Sequence, residues 1–186
     1  MGLTVSSSLN ASLVSTLFGS SSSSGSSSSP SGITADLLDS YAVTLPPGAS
    51  DDVRVLATAL FSTPPLWTRG LLRLRDEIMR PLGVKTTDEI AKAGAADGRD
   101  RIAFFPVFSR SRNEIILGED DRHLDFRASV LIETDAGAGS RRLVFTTAVR
   151  CHNLLGRAYL GVIAPFHVLI VRSNLRRLAN TTASNP

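Results

Sequence analysis

Leu124-Asp-Phe-Arg-Ala-Ser-Val-Leu-Ile-Glu-Thr134 alternates with a period of two, and that alternation decides the fold class. Leu124, Phe126, Ala128, Val130 and Ile132 fall on one face, which must meet a core. Asp125, Arg127, Ser129 and Glu133 fall on the other with Leu131, continuing back through His123 and Asp121. This polar face either meets solvent or lines a cavity. Residues 101–109, 113–117 and 141–152 show the same period, and polar or glycine-rich turns at 110–112, 118–122 and 135–140 join all four. Short turns between successive strands imply an antiparallel meander.

Working outward, residues 39–45 read as an earlier strand closed by Pro46-Pro47-Gly48. Ser50-Asp51-Asp52 offers an N-cap to a helix with Val53, Leu56, Ala57, Leu60 and Phe61 on one face, stopped by Pro64-Pro65. A second helix is expected over 66–80 and a further helical turn over 87–96. Trp67, Phe104, Phe105 and Phe108 are core residues or line a pocket mouth. Residues 153–178 read as a long C-terminal helix whose apolar run, 154–171, has the length of a membrane span. Arg157, Pro165 and His167 interrupt that run, so a helix buried across the sheet is the reading taken. The chain is therefore α+β, with a curved antiparallel sheet, two short helices and a long C-terminal helix over residues 36–180.

Residues 20–29 hold nine serines and one glycine, and the first 35 residues contain neither Lys nor Arg. Such a segment buries too little to offset its ordering entropy, so 1–35 is expected to be a disordered Ser-rich tail, and 181–186 a disordered C-terminus. Met1-Gly2-Leu3-Thr4-Val5-Ser6 fits the N-myristoylation pattern with Gly2 as acceptor, which would allow weak membrane association. No secretory leader is legible, and the expected location is cytoplasmic. Basic residues are eighteen Arg and two Lys, and the net charge is +3. No basic run with interleaved aromatics suggests a nucleic-acid surface. The single cysteine, Cys151, excludes an internal disulfide and reads as a small buried residue.

Three stretches carry a resemblance: Gly118-Glu-Asp-Asp-Arg-His-Leu-Asp-Phe-Arg127 after Asn113-Glu114; Thr146-Thr-Ala-Val149 followed by His152-Asn153 and Gly156-Arg-Ala-Tyr-Leu160; and Pro165-Phe-His167. They look like the family called domain of unknown function 2867, over residues 39–177. The element order is also that of the helix-grip fold of lipid-transfer-like and birch-pollen-allergen-like proteins. The resemblance implies a fold that often grips an apolar ligand between sheet and helix. It implies no dinucleotide site, since no G-x-G-x-x-G occurs.

Arg157 stands near the N-terminus of the last helix, where a cation opposes the dipole, so a carboxylate such as Glu114 or Asp125, or an anionic ligand, must hold it. Tyr159, Glu114, Asp125, Arg127 and His167 complete the candidate ligand-binding set, with Arg127 forming an ion pair with Asp125 or Glu114. His123, between Asp121 and Asp125, and His152, sharing a strand face with Arg150, are the candidate acid–base groups. No metal-ligand spacing and no cofactor motif is present. The expected function is binding of a small apolar or amphipathic molecule, neutral or anionic, between sheet and C-terminal helix. The alternatives are a cofactor-independent cyclase, isomerase or hydrolase with a histidine base, and an acylated membrane-associated adaptor.

Overall fold

The computed structural model describes residues 4–5, 17–18, 35–62, 70, 98, 100–103, 105–134 and 139–183. The helix expected over 66–80, the turn over 87–96, Trp67, Phe104 and Gly2 lie outside the described residues. The strands are β1 (Thr4–Val5), β2 (Leu37–Thr44), β3 (Arg101–Ile102), β4 (Phe105–Arg110), β5 (Glu114–Asp120), β6 (Leu124–Thr134) and β7 (Arg141–Cys151). The helices are α1 (Val53–Ser62) and α2 (Leu154–Ala183). The strands form one antiparallel sheet in the order β1-β2-β7-β6-β5-β4-β3. β2 thus pairs with the far side of β7 and β1 lies beyond it, and the meander supplies the rest. This is an α+β domain.

The apolar face of β6 meets the core as its alternation requires: Ala128 and Val130 are fully buried, with Ile132, Leu143, Phe145, Tyr41 and Val43 beside them. α1 closes this face with Val53, Leu56, Ala57 and Leu60. Its start is set by Asp52, whose Oδ1 accepts from the Arg54 amide at 2.8 Å. The C-terminal half of α2 adds Val171, Leu175, Leu178 and Ala179.

Two boundaries differ from expectation. The strand read over 101–109 is broken at Ala103, which takes a positive φ of 54°, into β3 and β4. Gly118, expected in a turn, lies inside β5, and the chain instead turns at 121–123. A Cβ on Gly118 would sit 2.3 Å from the Phe126 carbonyl oxygen and 2.9 Å from Arg127 Cδ, so glycine is what lets the Arg127 side chain cross the strand.

The middle of the polar face of β6 is not open to solvent. Asp125, Arg127 and Ser129 are all buried. Leu17 and Phe18 lie over this side of the sheet with Ile116 and Ala148, flanked by Ala35, Leu38 and Phe108. Residues 4–5 also pair with β2. Of the expected tail, Leu17 and Phe18 are therefore packed on the domain as apolar cover for its second face, and Thr4–Val5 give its edge a strand partner.

Candidate functional site

The polar residues of the second face assort by strand register. Asp125 on β6 stands opposite Arg150 on β7, and His152 follows two residues later. Both converge on one oxygen: Arg150 Nη2 donates to Asp125 Oδ2 at 2.6 Å, and His152 Nε2 lies 2.9 Å from the same atom. Asp125 is buried, whereas the side chains of Arg150 and His152 reach solvent. The Phe18 ring covers the cluster, with the Arg150 guanidinium 5.3 Å from its centroid.

Arg127 pairs with neither Asp125 nor Glu114. Its Nη1 donates to Asp120 at 2.6 Å and to the Phe126 carbonyl at 3.0 Å, while the guanidinium lies 3.7 Å from the centre of the Phe108 ring. A register shift between Val107 and Ser109 turns Phe108 to this face. Glu114 accepts a hydrogen bond from the Ser129 hydroxyl.

His123 lies in the β5–β6 turn, and its Nδ1 is 3.1 Å from Asn153 Nδ2. Asn153 caps α2 by accepting from the Gly156 amide at 3.0 Å. A Cβ on Gly156 would fall 2.2 Å from the His123 carbonyl oxygen, so this glycine allows the first turn of α2 to rest on the hairpin. His123 and His152 thus serve different clusters. Arg157 is held by a carboxylate, that of Asp36 at 3.4 Å, and remains 64% exposed. His167 stands 3.4 Å from Asp39, and Tyr159 is half-buried on α2. Burial, then the charge of Asp39, pushes the Tyr41 phenol above its ordinary range. Burial chiefly, with Asp36 adding to it, raises the Cys151 thiol, which fits a structural residue rather than a nucleophile.

The expected ligand space between sheet and helix is occupied, where described, by Val171, Leu175, Leu178 and Ala179 against Tyr41, Val43, Leu143 and Phe145. The other side of α2 is the unusual surface. The most apolar 18-residue window within Leu154–Asn180 has a mean hydropathy of 1.8, and the helix is long and apolar enough to cross a membrane by length and composition, yet only 11% of that window is buried. This corrects the expectation of a helix buried along its length. Exposed on one face are Leu154 (80%), Val162 (49%), Phe166 (37%) and Leu169 (58%), with Ala158, Gly161 and Pro165 between them. Removing the exposed parts of those four large side chains from water would be worth on the order of 4 kcal/mol. The same face continues into Arg172 and Arg176, which with Leu169 and Ser173 line an open hollow of about 540 Å³. Among the described residues no carboxylate lies within ion-pair distance of Arg172 or Arg176. Among the same residues no group of three potential metal ligands occurs.

Sequence reasoning missed this face because an apolar run shows how much surface is apolar, not which part of it the fold covers.

An antiparallel sheet backed by α1 and a long C-terminal helix, with a polar cluster on its second face, defines the class of domain. The chain belongs to the family described as "Protein of unknown function (DUF2867)", whose model matches residues 33–174. No curated protein and no solved structure matches it.

Proposed function

We propose that this domain binds an amphipathic molecule with an anionic head group, its apolar part along the outer face of α2 and its head group at Arg172 and Arg176. The observation that carries this reading is an exposed apolar stripe that runs directly into two arginines with no carboxylate within ion-pair distance among the described residues. Fixed cations beside apolar area recognise a phosphate or carboxylate on a hydrocarbon tail. We read the domain as a variant of the helix-grip fold whose grip is filled and whose helix binds outward. The test is calorimetric titration with dodecyl phosphate kept monomeric. Saturable binding that is lost in Arg172→Ala/Arg176→Ala supports the reading, and absence of saturable binding to the unaltered chain overturns it.

The Asp125–His152 contact favours a second reading, a cofactor-independent acid–base reaction on a carbonyl compound. With His152 Nε2–H donating to the carboxylate, Nδ1 is left as the proton acceptor, and Arg150 stands ready for a developing oxyanion. Solvent deuterium incorporation into a panel of β-keto acids, abolished by His152→Gln, would support it. No incorporation above the uncatalysed rate would remove it.

A further inference from the structure

We infer that the surface met by the outer face of α2 is an anionic lipid bilayer, with the helix lying in the plane of the interface; this rests on the reading that this face is the binding surface. From Leu154 to Leu169 the stripe runs about 22 Å at 1.5 Å per residue, a length suited to a flat apolar layer rather than to one short tail. The helix cannot stand across the bilayer while folded, because Val171, Leu175 and Leu178 fasten its C-terminal half to the sheet. That attachment fixes which face is presented outward.

Charge selects the partner. α2 carries no acidic residue, and its outer face ends in Arg172 and Arg176. A second copy laid against it, in either direction, would therefore bring these cations to a helix face that carries no carboxylate. Anionic head groups do neutralise them, and long arginine side chains at the end of an apolar stripe reach head-group level while their stems stay in the apolar layer. Pro165 lies on the exposed face and supplies no amide to the Gly161 carbonyl, which faces the same side. At an interface that carbonyl stays within reach of water, whereas a fully apolar partner would leave it unsatisfied.

The experiment is vesicle flotation with the unacylated full chain, so that a lipid on Gly2 contributes nothing. Vesicles of phosphatidylcholine alone are compared with vesicles that also contain phosphatidylglycerol. Binding is expected only with phosphatidylglycerol and should weaken as salt rises. Arg172→Ala/Arg176→Ala should weaken it about thirtyfold, at roughly fivefold per arginine. Leu154→Ser, at a position 80% exposed and so without a folding role, should weaken it as well.

Dodecyl phosphate binding without vesicle binding would overturn the bilayer and leave the amphiphile reading standing. Failure of both would overturn both. Equal binding to phosphatidylcholine alone would overturn the anionic requirement. A dimer in sedimentation velocity that Leu169→Glu dissociates would place a second copy on this face and overturn the proposal.

Discussion

Asp125 and Arg150 face one another across the β6–β7 ladder at 2.6 Å, yet only the carboxylate is buried. The asymmetry sets the expected mutant energies. Arg150→Ala leaves a buried carboxylate with His152 alone and should cost about 2 kcal/mol in urea unfolding. Asp125→Asn leaves an arginine that water can solvate and should cost less. Combining the two should recover part of the Arg150→Ala loss. The opposite ranking would mean that the pair is an ordinary screened surface contact.

Gly118→Ala tests the crossing of Arg127 over β5. The added carbon would meet main-chain oxygen of Phe126 at 2.3 Å, and backbone cannot swing aside as a side chain does. A loss of about 3 kcal/mol is expected from denaturant unfolding. A loss below about 1 kcal/mol would show that the two strands separate easily there.

Leu17 is 1% exposed and Phe18 is 9% exposed, so the expectation of a dispensable tail is reversed at these positions. Leu17→Ala should cost about 2 kcal/mol. A chain beginning at Gly32, which lacks both residues, should melt at least about 5 °C lower by scanning calorimetry. An unchanged midpoint would mean that the cover contributes nothing to stability.

Tyr41 makes alkaline stability a readout of the α2–sheet contact. Its phenol is pushed above 10.0, first by burial and next by the charge of Asp39, with Arg172 opposing. The unfolded chain therefore releases this proton first, so the contribution is fully present below about pH 10 and is lost as pH rises through the folded value. Urea midpoints measured at about pH 9 and about pH 11 should fall more steeply for the unaltered chain than for Tyr41→Phe. Equal slopes would place the phenol in water.

Arg157→Ala should change stability by less than about 1 kcal/mol, because its contact with Asp36 is long at 3.4 Å and the arginine is mostly exposed. A larger loss would mean that Asp36 depends on it to anchor the start of β2.

The long strands and the first helix were legible in the sequence, since a period of two in 124–134 and 141–152 and an N-cap within Ser50-Asp51-Asp52 are local features that short-range sterics and hydrogen bonding read directly, whereas β1 and the break at Ala103 were not. Asp125, His152 and Arg157 were already candidate residues on charge and position alone. Only the tertiary structure decided their partners. Strand register, not residue type, brings Arg150 to Asp125 and leaves Arg127 to Asp120, and a slip of one residue between β6 and β7 would have set Arg150 opposite Leu124 or Phe126 instead. Cover is likewise a long-range property. Nothing local in Leu17-Phe18 says that it will lie on β6, more than one hundred residues away. The same holds for α2, whose apolar residues are alike in composition on both faces. Which of them meet the sheet and which stay outside follows from the angle at which Gly156 and Asn153 set the helix on the β5–β6 hairpin, a geometry that exists only once the strands have paired.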